Sequence, residues 1–422
     1  VAAAAGLLLA AALRDVRTAA GVERLWRGDT SAAQSLLQVV VTSVTAATSL
    51  TFSLTIVAVQ LASQQFSPRL LRGFARDAVT KRVLVILLFT TTFALTLMST
   101  LAAERPLPRP ALVIALAAGV LSLVTLLVFI SHLLRTLRVD TMMLHAHGAA
   151  LAAITTFYPA HGDESRSDGS ELRLDAGFAH VALATRSGFV QRTDVAQLLQ
   201  VVERHDLLVR VEVRAGDHVV RGTPVASIWR SDGARSDASP TGEVLRAVKI
   251  HDERTLDQDA AFGFRQLEDI AVKAMSPAVN DPVTAVTVIG HMADLLVELT
   301  TCRLGAILHR PSTGGAGAIV PDRDLRYYLD LSCEQLARTA SSEPTVLQAL
   351  LGMLRDVAIA CRDDEQRAEV ERAACRVASR WEQRPHRDDD GGVDDMLRRV
   401  RLALTGRLDL AYADRAGEAR SI

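Results

Sequence analysis

The sequence predicts an α-helical integral membrane bundle joined to a mixed α+β cytoplasmic region, in which a small β-rich module precedes a set of helices. Three observations lead there. Long uncharged apolar stretches crowd the first 134 residues, and most of the charge lies beyond them. Between 177 and 250 the pattern changes to short Val-rich runs separated by glycine turns. From 254 onward apolar residues return at helical spacing. Averages over the 422 residues, 49 % hydrophobic and 23 % charged, blend these unlike parts. The net charge of −1 gives no global argument for binding nucleic acid.

A hydrocarbon core of about 30 Å needs roughly 20 apolar residues in a helix. Residues 36–63, 83–102 and 111–134 meet that demand without one Asp, Glu, Lys or Arg. The apolar stretch 1–13 predicts the remnant of a further span, which would make four. The chain opens on Val1 inside that stretch, so either an N-terminal part is expected to be missing or Val1 reflects an alternative start codon, and a cleaved signal peptide is the competing reading. The transmembrane domain is thus expected over 1–134. With no carboxylate in the spans, an acidic proton relay within the membrane is not expected. Ala115 and Gly119, then Ala118 and Ser122, stand at the small-xxx-small spacing of close helix contacts.

Orientation follows from the short loops. Arg69, Arg72, Arg76, Lys81 and Arg82 face a single acid, Asp77, which places that loop inside the cell. The 104–110 connection carries only Arg105 and Arg109 and falls outside. Arg135 and Arg138 follow the last span, so everything after them is expected in the cytoplasm. Arg14, Arg17, Arg24 and Arg27, before the long span, narrow the contrast.

The long span is polar for an uncharged helix. At 100° per residue, Thr42, Thr45, Ser49, Ser53, Gln60 and Gln64 fall within an arc of about 100°. Such a stripe could line a water-filled path. It could equally bond back to its own helix or hold helices together.

A connecting helix is expected over 135–160. His145 and His147 lie on it at i, i+2, on different faces, a poor arrangement for a shared metal. The module at 177–250 reads as strands near 181–185, 207–213 and 219–229, interrupted by a helix at 194–203 with Asp194 at its cap. Its glycine turns resemble half of a barrel-sandwich module of the biotinyl or lipoyl kind. No Met-Lys-Met tip is present, so no swinging cofactor is implied. Helices are expected over 251–384, then an acidic linker and a last helix over 385–422. Arg265, Asp269 and Lys273 form a predicted i, i+4 ladder. Asp281 is placed to cap the helix that Pro282 begins. The four cysteines, Cys302, Cys333, Cys361 and Cys375, lack CxxC spacing and read as buried free thiols.

Two blocks carry a family resemblance. One is Ser63-Gln64-Gln65-Phe66-Ser67-Pro68-Arg69, after the long span. The other runs from Arg254-Thr255 through Gln258-Asp259, Phe262-Gly263, Arg265-Gln266-Leu267 and Asp269-Ile270-Ala271 to Ser276-Pro277 and Asn280-Asp281-Pro282. With the spans, they resemble an uncharacterised family of predicted bacterial inner-membrane proteins, a domain of unknown function, over nearly the whole chain. The resemblance implies topology and no assured activity. Phe66, Pro68 and Arg69 read as membrane-interface residues. Asp259, Arg265, Gln266, Asp269, Asn280 and Asp281 read as a polar network, or as a ligand or ion site.

The chain lacks a P-loop, GxSxG, HExxH and kinase signatures. His251-Asp252 alone does not make a site. Catalytic, cofactor and metal residues are therefore not assigned. The expected partners are the lipid bilayer, further copies of the chain, and an unnamed ion, solute or cytoplasmic ligand. The leading reading is an oligomeric channel or transporter with a cytoplasmic regulatory domain. The alternative is a membrane-anchored sensor or scaffold.

Overall fold

The computed structural model describes residues 2–13, 29–65, 78–101, 109–136, 138–160, 166–168, 180–230, 240–311, 317–382 and 392–413. They form two compact units, Val1–Met142 and Met143–Ile422.

In the first unit, four helices pack together: α1 (Ala2–Leu13), α2 (Thr30–Gln65), α3 (Ala78–Leu101) and α4 (Arg109–Thr136). Asp29 starts α2 by accepting the Ala32 amide at 2.8 Å. At about 1.5 Å per residue, its 36 residues outreach the hydrocarbon layer. Three of these helices, α2, α3 and α4, are long and apolar enough to cross a membrane. Their common core holds Leu37, Val44, Leu87, Phe93, Leu97, Leu112 and Phe129. Small residues let the backbones approach. A Cβ on Gly6 would stand 2.9 Å from the Phe89 carbonyl oxygen, and one on Gly119 would stand 3.2 Å from the Val40 methyls. Ser122 is fully buried and donates to Thr90 Oγ1 at 3.0 Å, tying α4 to α3. Ala115, Gly119 and Ser122 do mark a packed face.

Helix α5 (Val139–Phe157) leads into the second unit. Two sheets follow. Strands β1 (Arg166–Asp168), β2 (His180–Leu183), β4 (Leu207–Val211), β6 (Pro224–Arg230), β8 (Ile307–His309) and β9 (Ala318–Val320) make a six-stranded sheet in the order β1-β8-β9-β4-β6-β2. Strands β3 (Gly188–Thr193), β5 (His218–Val219) and β7 (Val248–His251) make a three-stranded sheet in the order β5-β3-β7. Helix α6 (Val195–His205), capped by Asp194 through the Gln197 amide, buries Leu198, Val201 and Val202 in the β core. Helix α7 (Thr241–Ala247) adds Val244 and Ala247.

The sheet is wider in sequence than the module read at 177–250. Strand β4 pairs in parallel with β9, Val209 opposite Ala318, so the sheet needs strands from a region that the spacing presents as helical. Three residues per strand are too few to show a period of two, which hid β8 and β9.

The remaining helices are α8 (Ala260–Ala274), α9 (Pro282–Thr300), α10 (Leu325–Thr339), α11 (Pro344–Ala360), α12 (Asp364–Glu382), α13 (Gly392–Leu404) and α14 (Leu408–Ala411). Helix α9 also has the length and apolarity of a span, but half of its most apolar window is buried inside this unit. Leu295, Leu296 and Leu299 are buried and the helix packs on α8, α10 and α11, so α9 is a core helix. The buried-thiol reading holds for Cys302, Cys333 and Cys361 and fails for Cys375, which is exposed. Burial pushes the Cys333 thiol up to about 12 and the Cys361 thiol up to about 11, so neither supplies a thiolate near neutrality.

Candidate functional site

On α2 the predicted stripe takes a definite place. Ala33, Leu37, Val40, Val44, Ala47, Thr51 and Ala58 are buried against the other helices. On a 100° helical wheel these centre about 180° from the stripe. Thr42, Thr45, Ser49, Ser53 and Gln60 are accordingly exposed on the outside of the first unit. The side chain of Gln64, and Phe66, Pro68 and Arg69, lie outside the described residues. The hydroxyls of Thr48, Thr51 and Thr55, away from the stripe, accept the bland role and bond back to the carbonyls of Val44, Ala47 and Thr51 at 2.7–2.8 Å.

In the second unit the predicted polar block does not form one cluster. Asp259 and Asp281 stand at opposite ends of α8, about 20 Å of helix apart. Asp281 caps α9: it accepts the Thr284 amide at 3.0 Å and the Thr284 hydroxyl at 2.6 Å. Those bonds hold its carboxyl below the usual range. Asn280, at φ 50°, makes the left-handed turn that precedes it. Arg265 bonds Glu268 at 2.5 Å, a carboxylate only 2 % exposed. Gln266 is buried on the same helix, and Asp269 follows one turn from Arg265.

Asp259 is the residue around which charge gathers. It is 1 % exposed and caps α8 through the Phe262 amide at 3.1 Å. Its Oδ2 accepts from Arg254 Nε at 2.6 Å, while Oδ1 lies 3.6 Å from Arg323 Nη1. Arg323, itself 4 % exposed, also reaches Asp217 at 3.7 Å and Asp322 at 3.7 Å. Burial opposes its charge, but Asp259 and Asp322 outweigh that and raise the guanidinium above its ordinary value. Arg254 stacks over Phe262 at 4.8 Å and Arg323 over Tyr327 at 5.2 Å. The turn at Gly216 closes the cluster. A Cβ there would fall 2.0 Å from Asp259 Oδ2, and φ is 89°, so only glycine fits.

Behind this cluster, Tyr158 at the end of α5 meets Tyr328 of α10, hydroxyl to hydroxyl at 2.6 Å. Burial, and then the Asp322 charge, pushes both phenols well up. Burial likewise pushes the Asp322 carboxyl up, against the pull of Arg323. Asp322 also faces a cleft of about 270 Å³ between the two sheets, walled by Phe157, Val213, Ile307 and Val320, with Arg192, Asp194, Gln258 and His309 among its polar groups. Sequence reasoning missed Arg323, Asp322 and the tyrosines because they lie more than 60 residues from Asp259 along the chain. The run Asp322-Arg323-Asp324 was the signal available.

A model of the family described as predicted membrane protein (DUF2254) matches residues 1–356. The chain belongs to the DUF2254 family. Proteins similar to it include uncharacterised proteins of Mycobacterium bovis (Mb1321c) and Mycobacterium tuberculosis (Rv1290c). Each is 32 % identical over 354 residues, covering 82 % of this chain and 68 % of the relative. No solved structure matches. The DUF2254 match spans both units, from the apolar helices through Asp259, Arg323 and most of α11. Among the described residues, no group of three or more His, Cys, Asp or Glu is arranged to hold a metal ion.

Proposed function

We propose that this DUF2254 protein is an oligomeric channel or transporter for ions or small solutes, regulated by its C-terminal unit. The observation that carries the reading is the direction of the α2 stripe. Five hydroxyl or amide side chains point away from the helix core, where a single copy offers them only lipid. Unpartnered polar groups in hydrocarbon are costly. Copies arranged with their α2 stripes toward a common axis would give those groups water and each other. The basic 69–82 loop supports a bacterial inner-membrane orientation with that loop and the C-terminal unit in the cytoplasm.

Purified protein in liposomes is expected to pass ions or small solutes down a gradient. Ser53→Leu or Gln60→Leu should reduce the flux at least about tenfold without lowering the amount of folded protein, since both side chains are exposed in one copy. Unchanged flux in both variants, or none in the wild type under any imposed gradient, refutes the reading. The alternative, a membrane-anchored sensor, draws its support from the cleft beside Asp322. It is favoured by ligand binding in a protein that conducts nothing.

A further inference from the structure

We propose that the cleft between the two sheets of the C-terminal unit is a binding site for a small organic cation carrying a primary ammonium or guanidinium group, with Asp322 as its counter-charge. This deepens the regulatory half of the proposed function, but binding is measured without flux, so either can fail alone.

The cleft has the size of a metabolite site, about 270 Å³. Phe157, Val213, Ile307 and Val320 give it apolar walls, and about half of its lining residues are polar or charged. Charge decides the ligand class. The buried carboxylate of Asp259 and the part-exposed carboxylates of Asp217 and Asp322 face three guanidinium groups, those of Arg254, Arg323 and Arg214, so the cluster is balanced and the cleft's own lining sets the ligand's charge. Arg254 and Arg323 both converge on Asp259. Asp322 meets only the second guanidinium, at 3.7 Å; it also accepts the Arg323 amide at 2.7 Å and the Tyr158 hydroxyl, and keeps 26 % of its side chain exposed beside the cleft. Of the two carboxylates on the lining, Asp194 is taken by Arg192, and Asp322 is the one left without a guanidinium at hydrogen-bond distance. An anionic ligand is disfavoured: the one cationic side chain on the lining, Arg192, already bonds Asp194 at 3.1 Å, so an anion would meet Asp194 and Asp322 together. Gln258 is engaged with the Thr193 backbone, which fixes one edge of the site rather than leaving it to adapt.

Burial pushes the Asp322 carboxyl up. A bound ammonium favours the carboxylate, so binding releases a proton to the buffer whenever Asp322 starts protonated. The last turn of α5 also lines the cleft, through Thr156 and Phe157. That helix begins three residues after the last apolar helix of the first unit, so a ligand held there bears on the segment that joins the two units in sequence.

The test is calorimetric titration of the full-length protein in detergent with putrescine, agmatine, butanediol and butyrate. Putrescine or agmatine is expected to bind at least about tenfold tighter than the neutral or anionic probes. Asp322→Asn should lower that affinity at least about tenfold and abolish any dependence of the heat on the buffer's ionisation. Because Asp322 also touches the buried cluster, a second variant is needed. Ala196 is exposed at the cleft mouth, and Ala196→Phe should block binding while the unfolding transition stays in place. Butanediol or butyrate binding as well as the amines, no amine binding to the wild type, or full binding by Ala196→Phe would each overturn the proposal.

Discussion

Asp259 shows how one carboxylate can organise a corner of a protein. Two guanidinium groups and a helix N-terminus share it at 1 % exposure. Removing it takes the carboxylate from Arg254 and leaves Arg323 only Asp217 and Asp322 at 3.7 Å, so Asp259→Ala should destabilise the C-terminal unit by about 3–5 kcal/mol, read by chemical denaturation. Gly216→Ala should act in the same direction through the clash with Asp259 and the positive φ, and a variant as stable as wild type would contradict the geometry. The tyrosine pair sets a limit at high pH. A phenol whose folded pKa is raised contributes stability below its unfolded value of 10.0 and loses it as pH rises past that value. The unit should therefore weaken above pH 10, and Tyr328→Phe should flatten that loss. Asp281, with a lowered carboxyl, works at the other end: its contribution is present above 3.8 and fades as pH falls below it.

At the scale of elements, the long helices and their caps were legible because each signal is local. Uncharged length marks a span, Asp194 and Asp281 precede their helices, and Leu347, Leu350, Leu351 and Leu354 repeat on one face of α11. What escaped was anything decided by a distant partner. Asp259 could be singled out in its polar block, but its companions Arg323 and Asp322 sit beyond a strand hairpin that is itself unreadable in three-residue runs. The i, i+4 spacing also pointed Arg265 toward Asp269, while burial of Glu268 draws it one residue short. The contact of α5 with α8 is equally invisible in sequence. A Cβ on Gly263 would stand 2.5 Å from the Ala150 Cβ and 3.0 Å from the Ala146 oxygen. Gly263→Leu should push these helices apart and cost about 1–3 kcal/mol by overpacking, seen as a lower unfolding midpoint of the full chain. A leucine accommodated without loss would show that the contact is looser than drawn.

At the scale of the whole molecule, the proposed orientation makes its own demand. Reporter fusions after residue 413 should show activity only for an enzyme that works in the cytoplasm, and activity of a periplasmic reporter there would reverse the topology. The parallel pairing of β4 with β9 has a consequence in time. Synthesis runs from the N-terminus, so β4 leaves the ribosome about 100 residues before the strand it must lie beside, and that wait is long on the scale of local folding. Through that interval the nascent chain carries an open, Val-rich edge next to a membrane being filled with its own helices. Cells making this protein should depend on holding chaperones at that stage more than cells making a chain whose sheet closes from neighbouring hairpins.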